Sequence, residues 1–194
     1  MGRLILILGG ARSGKSTYAQ RLARTHGGKV VFIATAEAQD DEMRTRIAAH
    51  QSERPLDWQT LEIPYNVAEA FTRLSPPADV VLLDCLTLLV SNLLLLENDI
   101  DQPDATQAEK RLDGEIRSLL EAIQGSRADW IVVSNEVGQG LVPPYPSGRV
   151  YRDLLGHANQ HLAAQADEVY WMVAGIPVPI HGYRENSNIR PGKP

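Results

Sequence analysis

Gly9, Gly10, Ala11, Arg12, Ser13, Gly14, Lys15 and Ser16 stand directly after an apolar run at residues 4–8. This is the order of a buried strand entering G-x-x-x-x-G-K-[ST], the loop that wraps phosphate. Its glycines let backbone N–H groups converge into a concavity for anions. A helix starting at that point adds the positive end of its dipole. Lys15 brings a mobile cation to the terminal phosphates, and the Ser16 hydroxyl is a magnesium ligand of the usual kind. The ligand implied is a nucleoside triphosphate with its magnesium.

Other residues could join that chemistry. Asp84 closes the apolar run 80–83. A strand-end acid of this type holds magnesium in P-loop proteins, whereas its alternative use is to cap a following helix. Residues 130–134 lead into Asn135 and Glu136. In a doubly wound sheet ligands sit beyond the carboxyl ends of strands, so Glu136 is expected near the P-loop, as a base or an orienting group for a hydroxyl nucleophile. Met43, Ile47 and His50 share one stripe of a helix expected over 41–51, with Arg46 four residues before His50 and Arg54 four after. His50 either completes a half-buried stripe or offers a neutral imidazole as nucleophile. In the second case the arginines would bind phosphate through their planar forks. Spacing leaves both readings open. His157 and His161 are four apart on another expected helix, but no third metal ligand is evident from the sequence.

The elements that must position these groups follow from hydrophobic periodicity. Strands are expected at 4–8, 30–34, 80–83, 130–134 and 168–173, with short additions at 61–63 and 178–180. Helices are expected at 15–25, 41–51, 67–74, 86–96, 108–123 and 150–166. Short apolar strands alternating with helical patterns indicate βαβ units and a parallel sheet. The Gly- and Pro-rich stretch 139–148 is expected to form a loop or lid near the site.

At 194 residues the chain fits one domain, expected over 1–181, with a polar tail at 182–194. A net charge of −5 and a pI near 5.5 disfavour a nucleic-acid motor. One cysteine, Cys85, excludes a disulfide framework and is expected to be a buried, inert thiol. The apolar stretch 80–96 is too short and too polar to span a membrane. The chain enters a strand at once, so no secretory leader is expected, and a cytoplasmic location follows.

Taken together the residues resemble a known family, the bifunctional adenosylcobinamide kinase / adenosylcobinamide-phosphate guanylyltransferases of cobalamin biosynthesis. The resemblance covers roughly 4–180. It rests on the P-loop at 9–16, Ile33-Ala34-Thr35-Ala36, Asp41-Glu42-Met43 with Arg46, Ile47, His50 and Arg54-Pro55, and Trp58, Thr60 and Glu62. It continues through Asp84-Cys85-Leu86-Thr87, Asn92-Leu93-Leu94, Ser134-Asn135-Glu136-Val137-Gly138, Arg152-Asp153, Gly156, Asn159-Gln160 and Ala166-Asp167-Glu168-Val169.

The resemblance implies a RecA-like P-loop NTPase fold, a mostly parallel sheet flanked by helices, and a homotrimer. It implies phosphorylation of adenosylcobinamide by ATP or GTP. It further implies transfer of GMP from GTP to adenosylcobinamide phosphate through a guanylyl group on His50. Guanine-nucleotide contacts are implied for the P-loop, for Ala34, Thr35 and Ala36, for Gln51, Ser52, Glu53 and Arg54, for Glu62 and for Asp84. Arg46 and Arg54 would steady the α-phosphate, Ser16 and Asp84 would hold Mg2+, and Lys15 and Glu136 would serve the kinase step. Two other functions fit the P-loop: a small-molecule kinase with a structural His50, and a regulatory nucleotide-binding module.

Overall fold

The computed structural model describes residues 2–36, 55–74, 77–96 and 101–182. The helix expected over 41–51, with Arg46 and His50, lies outside these residues, as do 51–54 and the tail from 183. The elements are β1 (Leu4–Gly9), α1 (Lys15–His26), β2 (Val30–Ala34), β3 (Gln59–Glu62), α2 (Val67–Thr72), β4 (Val80–Asp84), α3 (Leu86–Leu95), α4 (Ala105–Gly125), β5 (Asp129–Asn135), α5 (Pro146–Gln165), β6 (Glu168–Val173) and β7 (Ile176–His181).

They build one seven-stranded sheet in the order β3-β2-β4-β5-β1-β6-β7. Every pairing is parallel except the last, between β6 and β7. The central strands are apolar through their middles because both faces are covered, with polar residues only towards their ends. Leu4, Leu6 and Leu8 point into a core shared with Val67 of α2, Leu89 of α3, Leu112 of α4 and Leu155 of α5. Ile5 and Ile7 point the other way, onto Ala19 and Ala23 of α1 and onto Trp58. The two-residue alternation of a strand thus serves two cores at once.

The expected strands all occur: 30–34 and 168–173 as expected, 4–8, 80–83, 130–134 and 178–180 longer, and 61–63 shifted to Gln59–Glu62. Helix α5 begins at Pro146 rather than at 150, because proline suits the first helical turn, where its missing N–H costs nothing. The expected loop is correspondingly shorter. Among the described residues, no helix is long and apolar enough to cross a membrane.

Candidate active site

Parallel register carries the chemistry-bearing strand ends to one edge of the sheet. Gly9 pairs with Asn135 on one side and with Met172 on the other. Ala34 pairs with Asp84 and with Glu62. Between Gly9 and α1 the backbone turns through two left-handed residues, Arg12 at φ 56° and Gly14 at φ 93°. Gly14 is also crowded, since a Cβ there would lie 3.1 Å from Gly175 Cα, and its left-handed φ disfavours a side chain. Helix α1 starts on Gly14 with no side-chain cap and no acid in its first turn. Such a start suits an external anion, because the first N–H groups have no partner within the helix.

A second wall supports the loop. Ala174 and Gly175, at φ 50° and 82°, form the two-residue turn between β6 and β7, the left-handed pair that matches strand twist. Gly175 N–H donates to Ser13 O at 2.9 Å. The β6–β7 hairpin therefore buttresses the loop directly.

Lys15 is 8% exposed, and its ammonium donates to Gly10 O at 2.6 Å. Burial holds its pKa below the usual lysine value, with Cys85 and Asp84 opposing the shift. The Cys85 thiol is pushed up to about 12, chiefly by burial and then by Asp84, so it is protonated at neutral pH. Ser16 and Asp84 offer the hard oxygen donors magnesium prefers, one from the start of α1 and one from the end of β4.

Thr35 is fully buried. Its hydroxyl donates to Cys85 O at 2.7 Å and accepts from Cys85 N–H at 3.0 Å. This ties the end of β2 to the end of β4. Asn92 of α3 completes the tie, donating to Thr35 O at 2.8 Å and to Pro64 O at 3.1 Å. Glu62 is exposed at the end of β3, and Ile63 N–H just beyond it donates to Ala34 O at 2.8 Å.

Glu136 follows β5. Its N–H donates to Gly9 O at 3.2 Å, and its carboxylate accepts from Gly138 N–H at 2.5 Å. Thr87 Oγ1 accepts from Asn135 N–H at 2.8 Å, Asn159 donates to Asn135 O at 3.0 Å, and Arg152 donates to Gly138 O at 2.6 Å. Asn92, Thr87, Asn159 and Arg152 are thus positioning residues for which sequence reasoning had no role. Only their place in the family pattern marked them.

Asn92→Ala should cost about 1–3 kcal/mol, since it strips the Asn92 donor from two carbonyls in a buried setting. A denaturant midpoint that falls with an unchanged slope checks this.

The structure therefore brings Gly9–Ser16, Ala34–Ala36, Glu62, Asp84 and Glu136 to one sheet edge, while His50, Arg46 and residues 51–54 lie outside the described residues. A family model described as cobinamide kinase / cobinamide phosphate guanyltransferase matches residues 5–180. The chain belongs to this family. It is, with the family, an enzyme. The bifunctional adenosylcobalamin biosynthesis protein CobU of Salmonella typhimurium is 43% identical over 180 residues, covering 91% of this chain and 99% of that protein. Its namesake from Escherichia coli is 42% identical over the same span and shares. CobP of Pseudomonas aeruginosa is 45% identical over 177 residues, 91% of this chain and 96% of that protein. Among solved structures, the RadB recombinase superposes with a TM-score of 0.51 at 14% identity, covering 88% of this chain and 74% of that one. The family member described here thus has the RecA-like P-loop NTPase fold.

Proposed function

We propose that this chain performs both reactions of its family on adenosylcobinamide. In the kinase step the aminopropanol hydroxyl attacks the γ-phosphorus of ATP or GTP. The bond from that phosphorus to the nucleoside diphosphate breaks, and the hydroxyl proton passes to the Glu136 carboxylate. In the transferase step an imidazole nitrogen of His50 attacks the α-phosphorus of GTP, and pyrophosphate leaves. The phosphate oxygen of adenosylcobinamide phosphate then displaces His50, which gives adenosylcobinamide-GDP. A histidine suits this exchange because it divides one hard displacement into two easier ones.

Lys15 and the P-loop amides bind the terminal phosphates, while Arg46 and Arg54 steady the α-phosphate. The guanine nucleotide is held further by Ala34–Ala36, by 51–54 and by Glu62. Ser16 and Asp84 would hold Mg2+, which supplies neutralisation of the charge that develops on the phosphates. The protein works in the cytoplasm as a homotrimer of single P-loop domains, 1–181, each with a polar tail. It acts on a small corrinoid rather than on nucleic acid.

The observation that carries this reading is the family match over 5–180 around a P-loop that ends a central strand. It is tested by incubating the protein with magnesium and α-labelled GTP, then denaturing it. Acid-labile, base-stable label on the polypeptide is expected. Tight GTP binding without label would instead indicate a simple small-molecule kinase.

A further inference from the structure

The proposed reactions leave one cluster unused, on the side of the molecule where α4 and α5 pack. His157 and His161 sit one turn apart on α5, and their Nε2 atoms approach to 2.8 Å. Asp113 of α4 faces them, and one ligand atom from each of the three residues lies within 4.8 Å of the others. The His157 Nδ1 side meets two carboxylates, Glu109 at 3.8 Å and Asp113 at 3.9 Å. A cavity of about 650 Å³ opens over the group, with Arg117 and Glu121 also on its wall.

We propose that His157, His161 and Asp113 form a binding site for a divalent transition-metal ion, Zn2+ being the best fit, that clips α4 to α5. Imidazole and carboxylate are the donors zinc takes in such sites, with water filling the remaining position. With Glu109 on its Nδ1 side, His157 can keep its proton there and offer the Nε2 lone pair toward His161. With the proton so placed, His161 Nε2–H would be the donor of the 2.8 Å contact in the metal-free protein. Metal binding needs His161 to carry its proton on Nδ1 instead, so no proton is lost overall. Two nitrogens on one tetrahedral zinc stand about 3.3 Å apart, so the rings must separate by about half an ångström. Both rings border open space, and α5 need not move. The nearby carboxylates of Asp113, Glu109 and Glu121, with Arg117 the one arginine or lysine among the described residues lining the cavity, suit a dication.

The test uses tag-free protein titrated with Zn2+ alone against a chromophoric chelator. The wild type should take up one tight zinc per chain that His157→Gln/His161→Gln lacks, and Asp113→Asn, which loses the charged ligand, should bind it more weakly. Zinc should raise the melting temperature of the wild type and leave that of the double variant unchanged. Co2+ on the wild type should give the visible bands of a low-coordinate nitrogen–oxygen site, a readout that needs no variant. Equal zinc uptake by wild type and double variant, no uptake by either, or a colourless cobalt form would each overturn the proposal.

Discussion

Lys15→Met should lower phosphoryl transfer by about 10²–10³-fold or more while raising the melting temperature. The first effect follows from the loss of a fixed cation where negative charge is handed over, in a setting drier than bulk water. The second follows from burial. The Lys15 pKa lies below its unfolded value, so between the two values the unfolded chain binds the extra proton and stability rises with pH. Below both, the charged lysine imposes its full cost on the folded state. Methionine removes that cost and keeps the buried stem. Gly10 O keeps a partner in the variant, because Ser13 N–H also donates to it at 3.3 Å. A kinase assay beside a thermal melt checks both effects, and a variant with wild-type turnover would remove Lys15 from the reaction.

His50→Ala should separate the two activities. Label from α-labelled GTP should vanish from the denatured polypeptide, and formation of adenosylcobinamide-GDP should fall to background, because the covalent route has no second nucleophile in the proposed scheme. Phosphorylation of adenosylcobinamide should stay within a few-fold of wild type, since the γ-phosphate is handled by Lys15 and the P-loop. If both activities fell together, with intact folding, His50 would be needed for nucleotide binding rather than for covalent transfer.

The parts of this site legible in the sequence are those in which type and spacing are local. The P-loop is eight consecutive residues behind an apolar run, and the strands announce themselves because burial on both faces leaves no polar alternation. The tie from Asn92 to Thr35 and Pro64 is different. It joins residues 57 and 28 positions apart through backbone carbonyls, and no periodicity encodes such a contact. Asp113 was missed for the same reason. The i,i+4 spacing of His157 and His161 is visible on one helix, but their third neighbour arrives from another. The start of α5 was misjudged because Gly148 and the prolines before it signal a loop, although Pro146 itself suits a first helical turn. The Ala174-Gly175 turn also carried a readable signal, a glycine between two short apolar runs.

That turn sets an order of events in time. β1 is made before every other described strand, yet its final place is between β5 and β6, and its loop leans on a hairpin near the other end of the described chain. Such late, long-range closure is slow to form. A nascent chain that has reached Glu136 already carries Lys15 and Asp84 as well, but not the strand and turn that border Gly9 and Ser13. A ribosome stalled before Gly175 therefore holds a chain with the whole glycine-rich loop but without the N–H that props it at Ser13.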